Sequence, residues 1–231
     1  MVVGIGFGGI STLTSQHLVL RERGWKRLSP FAVPAVMPSG VAAVLAIRHA
    51  VTGPVLTVSS ACASGTQALG EAYRLVRSGL ADLVLAGGAE APLDPVPIAG
   101  FERMDAMSTR FDDPARASGP FDRDRDGFVV GEGTAFFVLG TEWAARALGV
   151  TPYGEIVGYG LTTNAHHLTA PSERGAGAAR CMEDALSEDR RRAEAATHVN
   201  AHGTSTPAND AAEAAALTRT AGPATSHPWS R

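Results

Sequence analysis

Cysteine is nearly absent from this sequence. Cys62 and Cys181 are the two present in 231 residues, which excludes a disulfide framework and suits a reducing compartment where a free thiol can work. Long apolar runs are missing as well: none approaches the roughly 18 residues of a membrane span. The first residues lack the basic-then-apolar layout of a signal peptide. There is no excess of charge, since 20 basic residues face 23 acidic ones for a formal net charge of -3, so no general attraction to nucleic acid or to an anionic membrane is implied. Internal repeats and low-complexity segments are absent too. Together these absences predict a cytoplasmic protein with neither a nucleic-acid nor a membrane partner. What is present is 45% hydrophobic content, enough for a substantial core in one large or two small domains.

The stretch Val55 to Leu69 organises the rest. An apolar, β-branched run meets the small residues Ser59-Ser60-Ala61-Cys62-Ala63-Ser64-Gly65, and an amphipathic pattern follows through Glu71, Arg74 and Arg77. This predicts a buried strand turning sharply into a helix, with Cys62 at the turn. A thiol there faces the positive end of the helix dipole and unpaired N–H groups, which favours thiolate and makes Cys62 a candidate nucleophile, with a buried structural cysteine as the alternative reading.

Around it, Met1 to Ile5 reads as a strand, and Gly4, Gly6 and Gly9 formally match the G-x-G-x-x-G dinucleotide fingerprint. A Rossmann unit needs a helix opening on the third glycine, but Ser11, Thr12, Thr14 and Ser15 follow, with Pro30, Pro34 and Pro38 beyond, so a glycine loop at a strand end is expected instead. Ser39 to His49 reads as a helix, and Asp82 to Ala86 as a buried strand ending in Gly87-Gly88-Ala89-Glu90. Strand, helix and strand imply a parallel pair with a right-handed crossover, which puts Cys62 at the carboxyl end of its strand, where such sheets place their sites.

Prolines break 91–127 into a long loop, with a helical segment expected over Ile98 to Met104. Asp122 to Gly127 imitates a calcium loop, but the twelfth position is Gly133 rather than Glu, so charges that pair locally around a turn are expected in place of a cation. Thr134 to Leu139 reads as a strand, Glu142 to Leu148 as a helix and Gly154 to Gly160 as another strand. His166 and His167, adjacent in a polar loop, make a poor metal pair. A helix from Glu173 to about Ser187 carries a core-facing Cys181, and Arg190-Arg191-Arg192 reads as a solvated helix end.

The second focus is His198-Val199-Asn200-Ala201-His202-Gly203-Thr204-Ser205-Thr206-Pro207, followed by a helix over Ala208 to Leu217. His198 and His202 in an extended segment are about 13 Å apart and cannot share a zinc ion. A strand ending at His202 presents one imidazole at a sheet edge beside hydroxyls able to hold a polar ligand.

The two foci together resemble the elongating β-ketoacyl-acyl-carrier-protein synthases, the condensing enzymes of fatty acid and polyketide synthesis. The resemblance rests on Ser60 to Gly65, Ala86 to Glu90, Met107-Ser108-Thr109-Arg110, Pro120-Phe121-Asp122 with Arg125 to Gly133, and Val199 to Pro207, five motifs in family order spanning Val2 to Leu217. It implies a thiolase-like αβαβα layered α/β fold, usually as a homodimer, and a Cys-His-His site. Cys62 would take an acyl group from acyl carrier protein, with its own N–H as one oxyanion donor, and His202 would stabilise the enolate formed when malonyl carrier protein loses carbon dioxide. Thr204 and Thr206 match positions that bind the phosphopantetheine arm, so no separate cofactor is expected. Phe101 and Phe7 fall where the family lines its acyl pocket, although a core role suits both.

The departures are equally specific. No counterpart is found of the family's opening strand and helix, nor of the part that carries its lysine, its second histidine and its glycine-rich gate. Residues 1–140 thus correspond to the rest of an N-terminal half and 141–217 to the start of a C-terminal half. The tail 218–231 reads as atypical: Ala221 to Arg231 does not look like the family's continuation, and His227 is not expected to be a site residue. The other reading left open is a non-catalytic piece that acts through an interaction or dimerisation surface.

Overall fold

The computed structural model describes residues 1–189, 198–221 and 229–230. Its elements in order are β1 (Val2–Gly4), α1 (Ile10–Arg23), α2 (Ala32–Val36), α3 (Gly40–Arg48), β2 (Leu56–Val58), α4 (Ser64–Arg77), β3 (Leu83–Glu90), α5 (Pro95–Glu102), β4 (Gly133–Gly140), α6 (Glu142–Ala147), α7 (Ala176–Asp189), β5 (Val199–Asn200), α8 (Pro207–Ala221) and β6 (Trp229–Ser230). They group into two compact units that interleave along the chain: residues 1–98 with 130–155, and 99–129 with 156–231.

The first unit is built on a mixed sheet ordered β2-β1-β3-β4. β1 is parallel to both β2 and β3, and β4 runs antiparallel to β3 over eight residue pairs. The period-2 alternation of a strand sends Val2 to one face, where it meets Ala68 and Ala72 of α4 with Val84 and Ala86. Val3 goes to the other face, with Met1 and Ala42 of α3. Both valines are fully buried, each contributing on the order of 1.5–3 kcal/mol from apolar area removed from water. Small residues let α4 lie close to the sheet; a Cβ at Gly4 would overlap the Ser64 carbonyl. The helix stops at Ser78 and at Gly79, whose φ is +72°.

In the second unit α7 packs on α8, Ala179 of the one and Ala216 and Leu217 of the other are buried, and Arg219 pairs with Glu183 at 3.2 Å. Cys181 is half-buried and its Sγ donates to the Gly160 carbonyl at 3.1 Å. β5 pairs in parallel with β6.

Several expectations need correction. The parallel relation of β2 and β3 holds, but they are not neighbours: β1 lies between them. β3 does not end at Ala86 but continues through the glycines to Glu90, because all eight residues find partners on β4. Helix α1 opens directly after Gly9, against the expected loop, and α5 begins at Pro95 rather than Ile98. The segment Gly154 to Gly160 is not a strand. It has no ladder partner among the described residues and instead lies on α7, with Gly158 and Gly160 against the carbonyls of Ala185 and Cys181. Arg190-Arg191-Arg192 and His227 lie outside the described residues.

Candidate active site

The elbow that carries Cys62 belongs to the first unit. The carboxyl end of β2 is tied to β1 by Ile5 N–H donating to the Val58 carbonyl at 3.1 Å. The chain then turns within five residues into α4, and Ala61 takes a left-handed conformation, φ +52°, to make the turn. The Ala61 carbonyl accepts the N–H of Ser64 at 3.1 Å and the Ser64 hydroxyl at 2.7 Å, while the Ser64 Oγ accepts the Ser60 N–H at 2.9 Å. Cys62 is exposed, is not disulfide-bonded, and stands two residues before the first residue of α4.

Phe7, the other predicted site residue of this unit, is 45% exposed. The Glu90 carboxylate accepts the N–H groups of Gly6 and Phe7 at 2.6 and 2.8 Å. That carboxylate fills the anion cradle which a dinucleotide pyrophosphate would need, even though a helix does open on the third glycine. Gly9 itself serves packing, because a Cβ there would overlap the Ala35 carbonyl oxygen.

The second unit brings together three of the quoted motifs. His202 is exposed on the loop after β5, and Glu213 of α8 accepts the N–H groups of His202 and Gly203 at 2.6 and 2.8 Å. Thr204 and Thr206 are half-buried with their hydroxyls 2.8 Å apart. Between them Ser205 is fully buried at φ +67°, its Oγ accepting the Gly119 N–H at 3.0 Å. Asp210, 1% exposed, accepts the N–H groups of Ser205 at 3.2 Å and Phe121 at 2.8 Å. Arg125 Nε lies 3.2 Å from its Oδ2, an ion pair by distance without hydrogen-bond alignment. Charges in 122–127 therefore do not pair only locally, as expected; Arg125 reaches α8, while Arg123 pairs with Asp124. Phe101 packs edge-on against Phe128, ring centroids 5.1 Å apart.

Asp126 anchors the remaining motif. Its carboxylate accepts the Ser108 hydroxyl at 2.7 Å and both the N–H and hydroxyl of Thr109 at 2.9 Å. The Ser108 hydroxyl first, then the Thr109 N–H, hold its pKa down at about 2. His167 Nδ1 accepts the N–H groups of Thr169 and Ala170, a loop-ordering role. Among the described residues no group of three or more His, Cys, Asp or Glu side chains is arranged to hold a metal ion, and no helix is long and apolar enough to cross a membrane.

The family description "Beta-ketoacyl synthase, N-terminal domain" matches residues 1–145, and its C-terminal counterpart matches 153–230, which takes in nearly all of the 218–231 tail expected not to continue the family. The chain belongs to the β-ketoacyl synthase family. A 3-oxoacyl-[acyl-carrier-protein] synthase 2 from Synechocystis sp. is 42% identical over 222 residues, 96% of this chain and 53% of that protein. One from Rhizobium meliloti is 44% identical over 223 residues, again 96% and 53%. The crystal structure of a β-ketoacyl synthase from Burkholderia phymatum superposes with TM-score 0.88 at 38% identity, covering 96% of this chain and 54% of its own. A type II polyketide ketosynthase, solved with its acyl-carrier protein and a hexaketide, superposes at 0.89 with 31% identity, covering 98% and 58%. This β-ketoacyl synthase chain thus has the ketosynthase fold and spans about half the length of the curated relatives it matches.

Reading the residues alone missed Ser64, Asp210 and Glu213. The signals were present: a serine where a turn enters a helix, and two carboxylates three residues apart on the first turns after Pro207.

Proposed function

We propose that this chain carries the acyl-accepting part of a 3-oxoacyl-[acyl-carrier-protein] synthase. The observation that carries the reading is the Cys62 elbow, an exposed thiol held at the carboxyl end of a parallel strand and before a 14-residue helix. The Cys62 sulfur attacks the thioester of an acyl carrier protein; the bond to the phosphopantetheine sulfur breaks, and that thiol leaves with the proton. Malonyl carrier protein then loses carbon dioxide, its C2 forms a bond to the acyl carbonyl, and the Cys62 thiolate is released. His202 stabilises the enolate, Thr204 and Thr206 hold the phosphopantetheine arm, and Phe101 and Phe7 line the acyl pocket. The protein acts as a homodimer and needs no resident cofactor, since the pantetheine arrives on its substrate.

Incubation with acyl carrier protein loaded with a fatty acyl chain, followed by intact-mass and peptide analysis, tests this. An acyl adduct on Cys62 is expected, and a 3-oxoacyl carrier protein on adding the malonyl form. An unreactive Cys62 in folded protein sinks the reading. Acylation without condensation limits the chain to the first half-reaction.

A second reading, an interaction piece, is favoured by the exposed apolar side chains of the first unit: α1 buries none of its residues, and Phe31, Val33 and Ile47 are 73, 71 and 83% exposed. Size-exclusion chromatography with light scattering separates the readings. A compact dimer with cooperative melting supports the synthase, and open-ended association supports the interaction piece.

A further inference from the structure

We propose that Ser64 is a positioning residue for Cys62, its hydroxyl fixing the peptide that joins Ala61 to the nucleophile. This rests on the reading of Cys62 as the acyl acceptor and identifies what holds it in place. Ala61 has a Cβ yet sits at φ +52°, a conformation that persists only where the surroundings over-determine it. Ser64 supplies that constraint. The Ala61 carbonyl receives the Ser64 hydroxyl at 2.7 Å and the Ser64 N–H at 3.1 Å, and the same hydroxyl oxygen accepts the Ser60 N–H at 2.9 Å. One side chain therefore grips the backbone on both sides of the left-handed residue.

The N–H of that gripped peptide belongs to Cys62. Turning the peptide would break both bonds to Ala61 and re-aim the Cys62 N–H, together with the direction in which the thiol leaves the backbone. Ser64 cannot follow such a turn. It is 3% exposed, its Oγ lies 3.4 Å from the Ile5 carbonyl, and its own carbonyl sits where a Cβ on Gly4 would be. The elbow is thereby referenced to β1, the central buried strand, rather than to its own turn alone.

The test is the rate at which iodoacetamide alkylates Cys62 in the full chain, resolved from Cys181 by peptide mass spectrometry, with circular dichroism on every variant. Ser64→Ala is expected to slow alkylation about tenfold, the factor that one lost hydrogen bond of ordinary strength carries. Ala61→Gly should leave the rate near the parent's. The double variant Ala61→Gly/Ser64→Ala should recover most of the loss, because glycine takes φ +52° without help. Ala61→Val keeps the hydroxyl but makes the left-handed turn harder, and should also slow labelling. A parent rate in Ser64→Ala or in Ala61→Val overturns the assignment of Ser64 while leaving Cys62 a nucleophile. A double variant as slow as Ser64→Ala also overturns it, since a general packing defect would not be cured at position 61. If Cys62 of the parent reacts no faster than it does in urea, the nucleophile reading fails and this inference falls with it.

Discussion

The elbow around Cys62 and the loop from His202 to Pro207 face the same backbone problem and solve it with different chemistry. Each holds a non-glycine residue in the left-handed region, Ala61 at φ +52° and Ser205 at φ +67°. The elbow is held by a neutral hydroxyl three residues away. The loop is held by carboxylates of α8 and by groups more than eighty residues earlier in the chain: Gly119 donates to Ser205, and Phe121 and Arg125 engage Asp210. The Ser64–Ala61 clamp itself closes over three residues, although β2 and the elbow also need β1. The long-range clamp exists only once 119–125 and 205–210 have met, so its bonds bear loop-closure entropy that the Ser64–Ala61 bond does not. It also depends on charge, and a buried charge is costly when its partner is removed.

The largest effect should come from the loop's charged centre. Asp210→Ala leaves Arg125 without its counter-ion and strips the N–H groups of Phe121 and Ser205 of their acceptor, so a loss of about 3–5 kcal/mol is expected. Hydrogen exchange should then show lost protection at Phe121 and Ser205 while amides of α4 keep theirs. Equal loss in α4 would break the contrast between the regions. A smaller effect sharpens it. Ala61→Gly should raise stability by about 0.5–1 kcal/mol in urea unfolding, because glycine takes the left-handed φ that Ser64 imposes without the strain of a Cβ. Ser205→Gly should give no such gain, since it also removes the oxygen that accepts the Gly119 N–H.

The smallest expected effect is acid sensitivity at Asp126. Its folded pKa of about 2 lies below the ordinary 3.8, so its contribution is fully present above pH 3.8 and is lost as pH falls toward 2. The carboxylate is only half-buried, and solvent screening keeps that contribution small. An NMR pH titration should show the Asp126 carboxyl, with the Ser108 and Thr109 signals, moving near pH 2. A midpoint near 3.8 would mean those hydrogen bonds do not bind the carboxylate.

Much of the fold was legible because its signals are local. Val55 to Ala68 shows an apolar run, small residues and then an amphipathic helix, and β2, the elbow and α4 follow from that pattern, although β2 is an edge strand with Leu56 44% exposed rather than the buried strand expected. β4 and α6 were equally plain, and α6 is capped by the Thr141 hydroxyl accepting the Ala144 N–H. Where the reading failed, a neighbour decided. Gly154 to Gly160 reads as a strand from its β-branched and aromatic residues, but a strand needs a ladder partner, and its glycines settle on α7 instead. Helix α1 was masked by its hydroxyl residues, although their helix propensity is only weakly unfavourable. The anion cradle at Gly6 and Phe7 looks open until Glu90, 84 positions away from Gly6, fills it.

Alone, then, the sequence determined the family, the order of most elements, the strand-to-helix setting of Cys62 and the hydroxyl-rich loop after His202, because periodicity, small-residue clusters and motif spacing act over short stretches of chain. The tertiary structure decided that β1 divides β2 from β3, that the Glu90 carboxylate accepts the Gly6 and Phe7 N–H groups of the glycine loop, and that Asp210 and Glu213 hold the histidine loop. A carboxylate's role depends on which N–H groups and cations the folded chain carries to it.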